Sequence, residues 1–402
     1  MTKLNFLALA VPLFTGFILI EYYLSIKRNW KLHQFEESIA NLNVGIAERI
    51  TDLLTTGAFY FVFAWIYNKY AFFSIHPNFL SWVLIFFVTD FIWYWYHRCG
   101  HRVNLFWSVH VVHHQSTDFN YTVSTRITIF QAIARGLFWS ILPLLGFPPD
   151  MIAIFLILHG VYPFFTHTQM IGKLGWFEYI FVTPSHHRVH HSSNTEYLDK
   201  NYGDILIIWD KLFGTFAEEK SELKYGLTKP LNSYSFLWQH FHFKLELLLA
   251  FREAKGLKNK IKILFGKPEN INPIYRRHLE LKLLKRNNQP IQNELQRLIL
   301  LNSAITLIVL FFTLLLTEYI TRQQQFFLCI FILISIINSG AMIEQKRWVF
   351  YLDYARLLLL GIITYTFLPN QYILLFITII GIVPLIFYKS SQKLYYSYLY
   401  NS

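Results

Sequence analysis

Residues 90–107, DFIWYWYHRCGHRVNLFW, begin in an apolar run and continue through a pair of histidines. Residues 79–89 before them are also mostly apolar, so the whole segment is long enough to cross a bilayer as a helix. His97 and His101 are four residues apart, and a helix therefore places both imidazoles on one face. The stretch predicts a membrane helix that carries two possible metal ligands at its end.

The composition supports a membrane protein. The 402 residues are 54% hydrophobic and only 15% charged, which is too apolar for an ordinary soluble protein of this size. The formal net charge of +12 raises the question of nucleic-acid binding, but beside membrane-length apolar runs it favours anionic lipid head groups as partners. The only two cysteines, Cys99 and Cys329, lie in different surroundings and indicate no disulfide framework.

The hydropathy pattern predicts an all-α integral membrane protein with about nine transmembrane helices. The predicted spans are 4–24, 53–73, 79–96, 130–148, 151–169, 298–319, 326–343, 348–367 and 371–388. The loop after the first span carries Lys27, Arg28, Lys31 and Arg49, which predicts an outside N-terminus and places residues 97–129 and 170–297 in the cytoplasm. Three regions follow: a catalytic domain over 1–240, a basic amphipathic connector over 241–297, and a four-helix transmembrane region over 298–402.

Two further stretches also contain histidines three or four residues apart. VHVVHHQS contributes His110, His113 and His114, and TPSHHRVHHSSN contributes His186, His187, His190 and His191. The fifth span delivers His167 to the same surface as the other groups. Imidazole is the commonest protein metal ligand, and the number of histidines exceeds what one ion uses, so we expect a cytoplasmic helical cap that holds two metal ions. The spacing favours His187 over His186 as a ligand and leaves open whether His186 coordinates or orients a neighbour.

Nearby acids are candidates to orient the ligating rings, because such rings usually donate their second N–H to a carboxylate or carbonyl. The candidates are Asp90, Asp118, Asp204 and Asp210, each of which also suits a packing, turn or capping role. His159 is expected to make a buried polar contact instead of binding metal. His240 and His242 are expected at an exposed or interfacial position in the amphipathic segment.

The segments YHRCGH, HVVHH and HHRVHH resemble the three histidine boxes of the fatty acid hydroxylase, or sterol desaturase, superfamily. The flanking DKNYGDILIIWDKLFGTF and YGLTKPLN are similar to the alkylglycerol monooxygenase branch. The resemblance implies a di-iron centre, dioxygen and a membrane ether lipid as substrates, and an external reductant, which is tetrahydrobiopterin in animal members. The implied ligands are the residues His97, His101, His110, His113, His114, His167, His187, His190 and His191, with His186 adjoining.

Three alternatives stay open from the residues alone. One is a membrane haem-b electron carrier, which would use two histidines on facing helices inside the bilayer. A sterol, fatty-acid or carotenoid hydroxylase or desaturase would use the same fold, because fold does not fix the substrate. A metal transporter or sensor would also be rich in histidines, but it should carry ionisable ligands near the middle of its spans, whereas these histidines gather at one surface. The chain has no GxGxxG dinucleotide fingerprint and no HPGG of a fused cytochrome b5 domain, so the reductant must come from outside.

Overall fold

The computed structural model describes residues 4–284 and 290–400, and within these ranges the regular structure is helical. Two isolated antiparallel bridges, Phe181 with Leu206 and Ser192 with Tyr225, are the β pairing of this part of the chain. The α-helices are α1 Ala10–Lys27, α2 Phe35–Tyr70, α3 Phe79–Arg102, α4 Asn104–His110, α5 Tyr121–Ser124, α6 Gln131–Trp139, α7 Ile141–Leu144, α8 Pro149–Thr166, α9 Pro184–His190, α10 Ile208–Leu212, α11 Phe236–Glu253, α12 Leu257–Phe265, α13 Ile274–Leu283, α14 Asn293–Leu315, α15 Arg322–Ile343, α16 Val349–Phe367, α17 Gln371–Ile386 and α18 Tyr388–Leu399.

Six of the described helices are long and apolar enough to cross a membrane. They are Phe6–Lys27, α3, α8, α14, α15 and α16. Two bent helix pairs, one within α2 and one formed by α17 and α18, raise the number to eight if each counts as one span. The chain is thus an all-α integral membrane protein, with six to eight candidate spans among the described residues instead of the nine predicted from hydropathy.

The predicted single span over 130–148 is wrong, because the chain there forms two short helices, α6 and α7. The break falls at Ser140, whose hydroxyl donates to the carbonyl of Gly136 at 2.8 Å, and Pro143 removes a backbone donor from the next turn. Trp139 and Leu142 on these helices are fully buried in the core between α2, α3 and α8. Average hydropathy registers the apolar content of this segment but not its broken backbone.

The helices α3 and α8 both end at the same layer of the molecule. Asn78 caps α3 by accepting from the backbone N–H of Ser81 at 3.0 Å, and the helix runs from there to Arg102. Within α8, the carbonyl of Pro163 accepts from the hydroxyl of Thr166 at 2.9 Å, and the helix ends at that residue. His97 and His101 lie in the last two turns of α3, and His167 directly follows α8, so the ends of these two helices carry the histidines.

The C-terminal helices pack against the N-terminal half instead of standing apart from it. Helices α14 and α15 both contact α2. At the end of α15, one carboxylate oxygen of Glu344 accepts hydrogen bonds from the hydroxyl of Ser233 and from the backbone N–H groups of Tyr234 and Ser235. The segment that leads into α11 is thereby tied to the C-terminal bundle.

Candidate metal centre

Five histidines from all three boxes form one compact group, which we call the first group. Its members are His97, His101, His110, His114 and His190, and one nitrogen from each lies within 4.8 Å of the others. The Nε2 atom of His110 lies 3.0 Å from Nε2 of His97 and 3.1 Å from Nε2 of His114. His97 and His101 of α3 thus lie beside histidines of the second box, from α4 and the turn after it, and beside a histidine of the third box in α9.

Four other histidines form the second group. Its members are His113, His167, His187 and His191, again with one nitrogen from each within 4.8 Å of the others. The Nε2 atom of His167 lies 3.2 Å from that of His113 and 2.9 Å from that of His187. The two groups are adjacent, since the rings of His114 and His191 stack with centroids 4.4 Å apart. Neighbours in sequence, such as His113 and His114, supply different groups.

Backbone carbonyls fix the orientation of four of these rings. The Nδ1 atoms of His97 and His190 lie 2.8 and 2.9 Å from the carbonyl oxygens of Tyr202 and Lys200, respectively. In the second group, Nδ1 of His113 lies 3.2 Å from the carbonyl oxygen of Arg126, and Nδ1 of His167 lies 2.6 Å from that of Pro163. A carbonyl only accepts, so each Nδ1 carries the proton and each Nε2 keeps its lone pair for a metal ion.

Several nitrogens are buried with no hydrogen-bond partner. They are Nε2 of His190, Nε2 of His191 and Nδ1 of His187. Burial strongly lowers the pKa of His191 and of His187, and it lowers the pKa of His167 to about 4 and of His190 to about 3. These imidazoles are therefore neutral near pH 7, so the close approach of their nitrogens involves no repulsion between cations. The unpaired Nε2 atoms of His190 and His191, each in a group of neighbouring imidazoles, are the kind of donor that a transition-metal ion requires.

Two of the predicted acidic residues hold the segment that supports the rings. Asp210 accepts from the backbone N–H groups of Tyr202 and Gly203 at 2.8 and 2.7 Å, and Tyr202 supplies the carbonyl that binds His97. Asp90 accepts from the backbone of Ile205 at 3.0 Å and from the indole N–H of Trp209 at 2.9 Å. Both carboxylates act on the backbone next to the histidines, not on a histidine ring itself.

The other two predicted acids have different partners. Asp204 lies 2.5 Å from Nδ1 of His159, which is fully buried, so the expectation of a polar contact for His159 is confirmed. Asp118 accepts from the backbone and side chain of Gln34 at 2.7 and 3.0 Å, which connects the start of α2 to the loop after the second box. Neither acid contacts a histidine of the two groups in these hydrogen bonds.

His186 lies outside both histidine groups. It occupies the third position of α9, and its Nδ1 accepts from the backbone N–H of Thr183 at 3.3 Å. Its ring packs against Phe216 with centroids 5.6 Å apart. The side chain thus caps the helix that presents His187, His190 and His191.

A polar network behind the second box was not anticipated from the sequence. Arg126 is fully buried and donates to the carbonyl of Val112 at 2.6 Å and to the side chain of Gln115 at 2.7 Å. The Gln115 amide in turn donates to Nε2 of His242 at 3.0 Å, and Nδ1 of His242 donates to Glu246 at 2.9 Å. His240 and His242 are both buried, so the expectation of exposed or interfacial positions for them is wrong. In the sequence, this network was indicated by one feature, the position of Gln115 directly after His114.

Comparison with known proteins agrees with this geometry. The family model for fatty acid hydroxylases matches residues 82–215, which include both histidine groups. Over 261 residues the chain is 34% identical to the alkylglycerol monooxygenases of Homo sapiens and of Danio rerio, and this covers 64% of the chain and 58% of each relative. It is also 34% identical over 134 residues to an ornithine lipid hydroxylase of Rhizobium tropici, with 32% of the chain and 39% of the relative covered. No solved structure matches the chain.

The aligned part of this chain spans little more than half the length of the alkylglycerol monooxygenases that it matches. The matched family region begins within α3 and extends past α10, so it takes in the three boxes and the segment that supports them. The family match, the histidine arrangement and the apolar helices point the same way: residues 82–215 of this chain are similar to the fatty acid hydroxylases, and the alkylglycerol monooxygenases are relatives of the chain.

Proposed function

We propose that this protein is a membrane di-iron monooxygenase that hydroxylates the ether-linked carbon of alkylglycerol lipids. The resulting hemiacetal would collapse to a fatty aldehyde and a glycerol product. The observation that carries the proposal is the pair of adjacent, mostly buried histidine groups in a chain that is 34% identical over 261 residues to an alkylglycerol monooxygenase. Nine imidazoles with converging lone pairs fit two ions of a nitrogen-binding redox metal.

The proposed ligands of one iron ion are the five histidines of the first group, and those of the other are the four of the second group. When bound, the two ions would supply the redox chemistry by which dioxygen is activated. The protein itself holds the rings neutral, orients them through backbone carbonyls and shields them from water. Asp90 and Asp210 hold the backbone segment around Tyr202 that orients His97. His186 would act as the cap of α9 and not as a ligand.

The ends of α3 and α8 suit a lipid substrate. His97 lies in the last two turns of α3 and His167 directly follows α8, so the site would lie where membrane helices leave the bilayer. An amphiphile can keep its head group in water there while its alkyl chain enters between apolar helices. The basic residues in the loop after α1 support a cytoplasmic position for this surface.

The reaction needs two electrons from an external donor. Tetrahydrobiopterin is the donor that we propose to test first, because animal members of the resembled branch use it. We also retain the division into a catalytic region over 1–240, a connector over 241–297 and a membrane region over 298–402. Residues 285–289 of that connector lie outside the described residues.

One purified sample tests the proposed function. The protein is incubated with a 1-O-alkylglycerol, dioxygen and tetrahydrobiopterin, and fatty aldehyde and iron content are measured. We expect two iron ions per chain and aldehyde release, both lost in His190→Ala. The matched control is His186→Ala, which removes an imidazole four residues away and should keep both.

Two other results would replace the proposal. Turnover of a sterol, carotenoid or acyl lipid without aldehyde release from alkylglycerol would keep the superfamily and exclude the ether-lipid substrate. Exchangeable zinc with no oxygen-dependent turnover would instead indicate a metal transporter or sensor.

A further inference from the structure

Helix α12, Leu257–Phe265, has two apolar faces. On one face, Ile263 packs against a buried cluster that includes Phe243 of α11. On the other face, the side chains of Leu257, Ile261 and Phe265 are 75%, 49% and 57% exposed. They are four residues apart, so they form one stripe that covers about 80° of the helix surface, nearly opposite Ile263. We call these three side chains the apolar stripe.

Lysines border the apolar stripe along both edges. The helical spacing places Lys258 and Lys262 on one edge and Lys260 on the other. The ammonium nitrogen of Lys260 lies 5.1 Å from the ring centroid of Phe251. From residue 255 to residue 267 the sequence contains five lysines and no acidic residue. Helices that lie in the plane of a membrane surface have this arrangement, because their apolar face enters the lipid while the lysine stems extend to the head groups.

The position of α12 in the fold suits a membrane surface. The candidate membrane helix α3 ends at Arg102, and Asn104 follows two residues later. The backbone N–H of Asn104 donates to the carbonyl of Gly266 at 2.8 Å, and its side-chain amide donates to the carbonyl of Ile263 at 2.8 Å. These two bonds fix the C-terminal end of α12 beside the end of α3, which is the level expected for lipid head groups.

The size and the charge of this surface favour a lipid over a protein partner. Three apolar side chains are few for a protein interface, which typically involves about 20–30 residues on each side. A solvated helix would instead carry polar residues on the face that bears the stripe. The lysines on both edges require negative charge on both sides of the stripe, and a layer of anionic head groups supplies it.

We propose that α12 docks in the plane of an anionic lipid surface, with the apolar stripe in the lipid and the bordering lysines on the phosphate groups. Helix α4 begins at Asn104 and carries His110 of the first histidine group. Docking of α12 would therefore hold this end of the histidine site close to the head groups. The proposal concerns the surface alone, so it stands or falls independently of the substrate that the chain oxidises.

Depth-dependent fluorescence quenching of the full chain tests the position of the stripe. A fluorophore is attached to Ile261→Cys in a chain that also carries Cys99→Ser and Cys329→Ser, and the protein is reconstituted in bilayers of phosphatidylcholine and phosphatidylglycerol. The matched control is Asn259→Cys, an exposed position nearly opposite the stripe on the same helix. We expect lipids with a quencher near the head group to quench the label of Ile261→Cys roughly three times more strongly than that of Asn259→Cys, because an in-plane helix buries only its apolar face.

The charge dependence is tested with Lys258→Gln and Lys262→Gln combined in the labelled Ile261→Cys chain. Each lysine near an anionic surface favours docking by roughly fivefold, so the ratio of docked to undocked helix should fall at least tenfold, and mainly in bilayers that contain phosphatidylglycerol. The matched control is Lys389→Gln with Lys393→Gln, which removes two exposed lysines four residues apart on α18 and should leave the quenching unchanged.

Three results would overturn the proposal. The first is equal lipid quenching of the labels at Ile261→Cys and Asn259→Cys. The second is quenching at Ile261→Cys that does not respond to phosphatidylglycerol or to the loss of the two α12 lysines. The third is a label at Ile261→Cys that is protected from a water-soluble quencher but not quenched by lipid, which would show that a protein surface, such as a second copy of this chain, covers the stripe.

Discussion

The two histidine groups are mostly buried and the cluster of Asp90, His159 and Asp204 is fully buried, yet the hydrogen bonding of the two kinds of cluster differs. Asp90, His159 and Asp204 also bring three possible ligand atoms within 4.8 Å of one another. Within this cluster, however, His159 uses both ring nitrogens, one with Asp204 at 2.5 Å and one with the hydroxyl of Thr89 at 3.1 Å. In the histidine groups, nitrogens of His187, His190 and His191 are buried without a partner. Unsatisfied lone pairs, more than proximity, distinguish a metal site from a structural polar cluster.

Removing one of these unpaired imidazoles should have the largest effect. His191→Ala deletes a ligand candidate of the second group whose ring also stacks on His114 of the first group. We expect loss of at least one iron ion per chain and a fall in turnover of roughly 100-fold or more, since even residues that only support ligands change metal affinity by 10–100-fold. Iron analysis of the purified variant measures this, and full iron content would exclude His191 as a ligand.

Substitution in the cluster of Asp90, His159 and Asp204 should lower the stability of the protein without changing its metal content. His159→Leu leaves the buried carboxyl group of Asp204 without its hydrogen-bond partner, which is expected to destabilise the protein by about 1–3 kcal/mol. The thermal midpoint should fall, while the folded fraction keeps two iron ions. The double variant His159→Leu with Asp204→Leu removes both members and should recover much of the loss. If the folded fraction of His159→Leu contained less iron than the unmodified protein, the cluster of Asp90, His159 and Asp204 would also bind metal.

A smaller effect is expected at the support of the first group. Asp210→Ala removes the acceptor for the backbone N–H groups of Tyr202 and Gly203, so the carbonyl that orients His97 is less well fixed. Metal affinity should fall by roughly 10-fold to 100-fold. Titration of the metal-free protein with iron gives the affinity. Asp210→Asn retains one acceptor oxygen, so its affinity should lie between those of the unmodified protein and Asp210→Ala. An unchanged affinity would mean that the segment is held by other contacts.

The smallest effect is expected at His186. Because this side chain caps α9 and joins neither histidine group, His186→Ala should cost about 1 kcal/mol of stability with little loss of iron. Thermal unfolding and iron content of the same sample report both quantities. A loss of iron as large as that of His191→Ala would make His186 a ligand.

Much of the site could be predicted from spacing. The intervals of three and four residues identified eight of the nine histidines that the structure brings together, because those intervals place side chains on one helical face. His167 was identified by its place at the end of the fifth predicted span. His186 stayed ambiguous, since it is also four residues from His190. The deciding feature was Thr183, three positions earlier, which makes His186 part of a helix cap.

Other features depend on contacts that no local pattern contains. The buried position of His242 follows from its bond to Gln115, 127 residues away. The division of 130–148 into α6 and α7 is a matter of backbone geometry, which average hydropathy does not measure. Pro143 and Gly146 were local signs of that break, but the apolar residues around them dominated the average.

The position of the histidines at the ends of α3 and α8 also bears on which bond of the proposed lipid substrate would be attacked. Membrane helices fix the depth of their ends relative to the hydrocarbon layer, because their apolar length is matched to its thickness. A reaction centre fixed at that boundary meets the carbon atoms next to the head group and not those near the middle of the bilayer. Regiochemistry at the ether-linked carbon would then follow from depth, with alkyl chains of different length accepted because their far ends never reach the histidines.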